Sequence, residues 1–123
     1  ERFAFDTVLM PVNPAEPHHQ SFLAHVLPLA LSKGMGVVGM KVYLHGEAAR
    51  LPWYTDMAPF LRYALSQPVS TVVIGCDDMR QLEENVRLAR EFTPLSPAQM
   101  AALESKAEPV AKQALFFRFF ERA

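Results

Sequence analysis

The segment at residues 72–85 combines an apolar run, a glycine and a polar helix start, an order that suits phosphate binding. Val72-Val73-Ile74 has the character of a buried strand, and Gly75 follows it. Asp77 or Asp78 is expected to cap the helix that follows, and Gln81 lies three residues after Asp78, as a capping box requires. Because a helix N-terminus presents unpaired N–H groups and partial positive charge, it favours a phosphate, and a glycine there lets a ligand approach the backbone.

Three polar side chains one turn further along the same helix could contact a nucleobase. Gln81, Glu84 and Asn85 carry amide or carboxylate groups that can bond to the edge of a base whose phosphate lies at the helix tip. The same spacing also fits a capped helix with a solvated polar face and no ligand. On spacing alone, both interpretations stay open.

Metal and disulfide chemistry have little support in the sequence. Cys76 is the single cysteine, so the chain has no internal disulfide and no CxxC pair, and we expect its sulfur to be packed rather than reactive. The four histidines form no HExxH pattern. We therefore predict no metal site.

The composition predicts one soluble domain. Half of the 123 residues are hydrophobic, and the formal net charge is −1, so no basic surface is available for nucleic acid. No apolar run reaches the roughly 18 residues that span a bilayer, and the first residues lack the apolar centre of a signal peptide. We expect a cytoplasmic protein that binds neither nucleic acid nor membrane.

Three strands that alternate with helices are predicted to position the polar segment. Apolar runs bounded by proline or glycine predict strands at about 4–12, 36–43 and 70–75. Helical spacing of apolar residues predicts the intervening and following helices, and Pro28 predicts a break inside the first of them. These helices are expected at about 20–33, 57–66, 79–91, 97–107 and 110–121. The order indicates a single α/β domain over residues 1–123.

Three strands alone make an incomplete α/β domain, because they leave two sheet edges and an apolar face without cover. Residues 44–55 show no periodicity and predict a long loop. Glu1, in place of an initiating methionine, favours a chain that is part of a longer one. Four phenylalanines near the C-terminus spread too widely around a helix for one buried stripe, which favours a partner surface. They are Phe116, Phe117, Phe119 and Phe120.

Several motifs resemble the C-terminal part of the aldo/keto reductase family. They are FDTVLMPVNP at residues 5–14, VLPLA at 26–30, GMGVVGMK at 34–41, LRYALS at 61–66, IG at 74–75 and LEEN at 82–85. The match covers nearly the whole chain and is most specific in the last block. The resemblance implies a TIM (β/α)8 barrel, in which these strands would be the sixth, seventh and eighth of a partial-barrel domain.

The resemblance also implies a cofactor, usually NADPH, across the carboxyl ends of the strands. The turn after the last strand would contact the adenosine phosphate through Gly75, Cys76 and Asp78. Gln81 would lie over the adenine, and Glu84 and Asn85 would bond to its edge. At the end of the preceding strand, Met40 would back the nicotinamide, and Lys41 and Val42 would begin the loop along the pyrophosphate.

Two departures from the family pattern affect these expectations. Gly75 stands where many members have a lysine or arginine for the 2′-phosphate of NADPH, so NADH is an alternative cofactor unless Arg80 compensates. The family's catalytic residues belong to earlier strands, so no residue of this chain is assigned a catalytic role. In particular, Tyr43, Tyr54 and Tyr63 are not given the role of the catalytic tyrosine.

The implied function is reduction of a small carbonyl substrate by hydride from the nicotinamide cofactor. A longer parent chain would supply the catalytic half, and this chain alone is expected to be inactive. One alternative is a non-catalytic half-barrel fragment that self-associates to cover its edges. Another is a nucleotide-binding module with an unrelated partner, which would share the phosphate site but not the oxidoreductase chemistry.

Overall fold

The computed structural model describes residues 3–115 and has a three-stranded parallel sheet flanked by helices. Strand β1 (Thr7–Pro11) pairs with β2 (Gly36–Met40), and β2 pairs with β3 (Thr71–Val72), so the order in space follows the order in the chain. The predicted mixed α/β architecture, with three parallel strands alternating with helices, is confirmed.

The helices connect the strands and then continue beyond the last one. The α-helices are α1 (Phe22–His25), α2 (Leu27–Ser32), α3 (Ala58–Leu65), α4 (Met79–Arg90), α5 (Pro97–Ala107) and α6 (Ala111–Ala114). Short 3-10 helices lie at Glu16–His18, Leu44–Arg50 and Glu108–Val110. Within residues 3–115, no helix has the length and apolar character that crossing a membrane requires.

Several boundaries differ from the predicted ones for local reasons. The helix predicted at 20–33 is divided, and Pro28 lies in the first turn of α2, where its missing N–H is tolerated; the break predicted near it is confirmed. β2 ends at Met40 instead of residue 43, because Lys41 adopts a left-handed φ of 53° and turns the chain. The predicted loop at 44–55 begins with a 3-10 helix.

β3 is shorter than the strand predicted at 70–75. Hydrogen bonds from Ser70 N to Val37 O and from Val73 N to Gly39 O, both 2.8 Å, extend the pairing by one residue at each end. β3 lies at an edge of the sheet and pairs with β2 alone. The predicted helix 110–121 corresponds to α6 up to Ala114. Its end lies outside the described residues, as do the four phenylalanines Phe116, Phe117, Phe119 and Phe120.

The two faces of the sheet differ in burial. Successive side chains alternate between the faces, and Met10 and Val37 on one face are both 1% exposed and belong to the core formed with the helices. On the other face, Leu9 is 56% exposed and Val73 is 57% exposed. We call this second surface, with Val38 between those two residues, the open sheet face. Parallel sheets are normally covered on both sides, so this face is unusual.

A second uncovered apolar surface runs along α4. Met79, Leu82 and Val86 recur at helical spacing and are all exposed, and no residue of this helix is buried. We call these three residues the α4 stripe. Both surfaces are of the kind that another part of a larger fold, or another chain, covers.

A polar network, partly buried, links the segment after β1 to two of the helices. The Tyr63 hydroxyl donates to Glu104 Oε1 at 2.6 Å, and His18 Nε2 donates to the Glu104 carbonyl oxygen at 2.8 Å. Tyr63, in α3, is 0% exposed. Nearby, the buried Glu16 carboxylate accepts hydrogen bonds from Ser21 Oγ and from backbone N–H groups at the start of α1. This network joins the segment after β1 to α3 and α5.

Candidate nucleotide-binding site

Three segments predicted to bind a nucleotide meet at one place. The Tyr43 hydroxyl, just after β2, donates to Asn85 Oδ1 in α4 at 2.5 Å. The Asn85 Nδ2 atom lies 3.2 Å from Cys76 Sγ, in the loop after β3. The carboxyl ends of two neighbouring parallel strands and the first turns of the following helix are therefore linked by one side-chain network. This edge of a parallel sheet is where α/β proteins bind ligands.

The start of α4 is capped, with one difference from the predicted pattern. Asp78 Oδ1 accepts a hydrogen bond from Gln81 N at 3.0 Å, as predicted. Gln81 Oε1 accepts from Asp77 N at 2.8 Å, one residue before the cap itself. Arg80 donates to the second Asp78 oxygen at 3.2 Å. Gln81 thus lies folded back over the loop, and it fixes the loop on which a phosphate would rest.

The cap changes where an anion can bind. The backbone N–H of Gln81, followed by the Arg80 side chain, lowers the pKa of Asp78 below its usual value, so the carboxylate is ionised at neutral pH. This carboxylate occupies the positive end of the helix. A phosphate would therefore have to bind beside the helix tip, along the loop at residues 75–77, rather than directly on the first turn.

Gly75 lies in that loop and has no internal reason to be glycine. A Cβ atom added there would meet no heavy atom within 4 Å, and the residue does not have a positive φ. By contrast, a Cβ atom on Gly39 would lie 3.2 Å from Val72 Cγ1 and 3.3 Å from Val12 Cγ2. The open space beside Gly75 lets a ligand approach the backbone closely.

Cys76 is exposed, so the expectation that its sulfur would be packed is wrong. The residue follows an edge strand and lies in an open loop, and its Sγ atom contacts the Asn85 side chain instead of the core. Glu84 is also exposed and lies close enough to Tyr43 for its charge to affect that phenol. Six of the predicted cofactor residues therefore lie together around the loop and α4: Gly75, Cys76, Asp78, Gln81, Glu84 and Asn85.

The residues predicted at the end of β2 have different surroundings. Met40 is partly buried and, by the alternation along the strand, lies on the same side as the open sheet face. The Lys41 carbonyl oxygen accepts from Asn13 Nδ2 at 3.1 Å, which ties this turn to the end of β1. Val42 is 2% exposed and packs in the core, so its backbone alone is available to a ligand.

Tyr43 is the site residue that the sequence did not single out. The family pattern gives it no catalytic role, and the structure shows its hydroxyl in contact with Asn85. Burial, and next the charge of Glu84, raises the pKa of Tyr43 well above its usual value, so the phenol stays neutral. The available signal was its position directly after the predicted residues Lys41 and Val42.

The nearby aromatic loop serves packing. Trp53 stacks on Phe60 with ring centroids 5.5 Å apart and an interplanar angle of 15°, and both contact the core. Trp53 therefore packs this loop against the core. Trp53 Nε1 is buried and has no hydrogen-bond partner among the described residues.

The loop at residues 75–77 and the residues around it are mostly exposed. Two surface depressions in the described part of the chain lie elsewhere, one along the α4 stripe and one between α3 and α5. In the described part of the chain, no group of three or more histidine, cysteine or acidic side chains is placed to hold a metal ion. Comparison with protein-family models gave no match to this chain, and comparisons with curated proteins and with solved structures gave none either.

Proposed function

We propose that this chain is the C-terminal, cofactor-binding part of an NAD(P)H-dependent aldo/keto reductase. In this proposal, the three parallel strands are the last three of a (β/α)8 barrel. The chain holds the adenosine end of the dinucleotide, and the other part of the barrel supplies the residues that catalyse carbonyl reduction.

The observation that carries the proposal is the network that links Tyr43, Asn85 and Cys76 at the carboxyl edge of the sheet. It brings the loop after β3 and the polar face of α4 next to the end of β2, as one extended dinucleotide would need. Gly75 adds support, because the space beside it is open and nothing in the described chain requires a glycine there.

The two uncovered apolar surfaces support the barrel part of the proposal. In a (β/α)8 barrel, the inner face of each strand is covered by side chains from the other strands. The open sheet face has the apolar character that such an interior requires, with Leu9 and Val73 both exposed. The α4 stripe would likewise pack against neighbouring parts of the barrel.

The form of the cofactor depends on a balance of charges near the loop. Asp77 and Asp78 disfavour a 2′-phosphate, whereas Arg80 lies beside them and binds Asp78 through one guanidinium nitrogen. An arginine has five N–H donors, so the others stay available to a phosphate. We propose NADPH as the cofactor, with NADH as the alternative.

Calorimetric titration of the purified chain with NADPH and with NADH tests the proposal. Gln81→Ala and Asn85→Ala should each weaken NADPH binding by about tenfold, the usual effect of losing one or two good polar contacts, with little change in melting temperature. Glu91→Ala, at the far end of α4, is the matched control and should leave the affinity unchanged. Equal affinity in all four proteins would reject the adenine assignment.

The uncovered surfaces also favour a second candidate, a non-catalytic half-barrel that self-associates. Light scattering on the same samples separates the two. For the half-barrel, we expect a folded oligomer that binds neither cofactor. The double variant Leu82→Lys with Val86→Glu, on the α4 stripe, should weaken self-association, so the mass measured by light scattering should fall. A folded protein that binds NADPH would reject this candidate.

A further inference from the structure

We propose that Tyr43 is a positioning residue that fixes the orientation of the Asn85 amide and thereby makes the site select adenine over hypoxanthine. This inference rests on the proposed function and extends it. Tyr43 does not contact the reacting atoms in this proposal. It acts through Asn85, at the adenosine end of the cofactor.

The distances in the network indicate which way the amide points. The Tyr43 hydroxyl donates to Asn85 Oδ1 at 2.5 Å, within the range of an O–H···O bond, so the amide oxygen faces Tyr43. The amide nitrogen faces Cys76 Sγ at 3.2 Å, where sulfur accepts a weak hydrogen bond.

This orientation leaves the amide with one donor and one acceptor. Oδ1 has two lone pairs and uses one on Tyr43, while Nδ2 has two hydrogens and uses one on Cys76. An asparagine amide pairs with the N6–N1 edge of adenine by accepting from the N6 amine and donating to N1. Hypoxanthine reverses both groups, with a carbonyl oxygen at C6 and a hydrogen on N1, so two acceptors and two donors would face each other.

Tyr43 is suited to this task because its phenol remains a donor. Burial and the charge of Glu84 raise its pKa, so ionisation does not remove the hydrogen that Asn85 accepts. The ring also packs against the core. Tyr43→Phe keeps this ring and removes only the hydroxyl, which leaves the amide able to turn over and offer Nδ2 to a carbonyl group.

The test is titration of the full chain with NADPH and with its deaminated counterpart, in which hypoxanthine replaces adenine. The wild-type chain should prefer NADPH by about tenfold, at the lower end of the range for a bidentate amide–adenine pair. Tyr43→Phe should reduce this preference to about twofold or less, because the turned amide can serve either base. Asn85→Ala should also lose it, and adding Tyr43→Phe to Asn85→Ala should change neither affinity further.

The ratio of the two affinities separates positioning from a general loss of structure, because partial unfolding weakens both dinucleotides equally. A Tyr43→Phe protein that keeps the adenine preference, while Asn85→Ala loses it, would reject the role of Tyr43 and leave the proposed function standing. A folded wild-type chain that binds neither dinucleotide would reject the proposed function, and this inference with it.

Discussion

Tyr63 and Tyr43 each donate a hydrogen bond to a side chain on a distant helix, but only one of these networks is closed. Tyr63 is 0% exposed, and its acceptor Glu104 also binds His18 through the backbone. Tyr43 is half-buried, and its acceptor Asn85 contacts the exposed Cys76. In both cases burial is the largest cause that raises the pKa of the phenol.

The difference indicates what each network is for. The Tyr63 network joins three elements of the interior, where a polar group that loses its partner is costly. The Tyr43 network lies at the carboxyl edge of the sheet and leaves one donor and one acceptor of Asn85, which the proposed cofactor would use. A raised tyrosine pKa alone does not distinguish a structural network from a binding site, whereas solvent access to the partner does.

The largest effect on the free energy of unfolding should come from breaking the Tyr63 network. Tyr63→Phe removes the donor to Glu104 and leaves a partly buried carboxylate oxygen without it, so we expect the free energy of unfolding to fall by about 1–3 kcal/mol. Urea denaturation measures this change. Tyr43→Phe is the matched variant, and its smaller loss should be below about 1 kcal/mol because water can replace the hydroxyl. Equal losses would contradict the distinction between the two networks.

A smaller change in stability, this time an increase, is expected when Gly75 is replaced. Alanine there meets no neighbouring atom and restricts the unfolded chain, so Gly75→Ala should raise the free energy of unfolding by about 0.4–1 kcal/mol. The same methyl group would obstruct a ligand that approaches the backbone, so NADPH affinity should fall. Calorimetry and urea denaturation of the same protein check both expectations.

Gly39→Ala is the control for that variant. Its new Cβ atom would crowd Val72 and Val12 in the core, so stability should fall. If Gly75→Ala leaves NADPH affinity unchanged, the cofactor does not approach the protein backbone closely at residues 75–77.

The parts of the fold that depend on neighbouring residues could be predicted from the sequence. Apolar runs bounded by proline or glycine located the three strands, and short motifs located the helix caps. Ser96 and Gln99, three residues apart, form a full capping box at the start of α5. The end of β2 was predicted too late, because the left-handed φ of Lys41 has no signature in that residue type.

The parts that depend on distant residues were not predictable in the same way. Tyr43 and Asn85 are 42 positions apart, and nothing in either local sequence indicates that they meet. Helix spacing and a resemblance to a family both pointed to Glu84 and Asn85, but neither gave a role to Tyr43. Cys76 was expected to be packed because cysteine is usually buried, and the edge position of β3 made that expectation wrong.

The smallest effect concerns pH and the cap of α4, on the open side of the molecule. Since the pKa of Asp78 is lowered in the folded chain, its contribution to stability is present above the unfolded aspartate pKa of about 3.9 and is lost as pH falls through the lower folded value. Asp78→Asn keeps a good N-cap without a titrating group. We expect urea midpoints of the two proteins to converge as pH falls from about 6 to about 2. Ser96 caps α5 without a charge, so that helix should contribute no such change. If the urea midpoints of the wild-type and Asp78→Asn proteins change in parallel with pH, the Asp78 cap does not stabilise α4 through its charge.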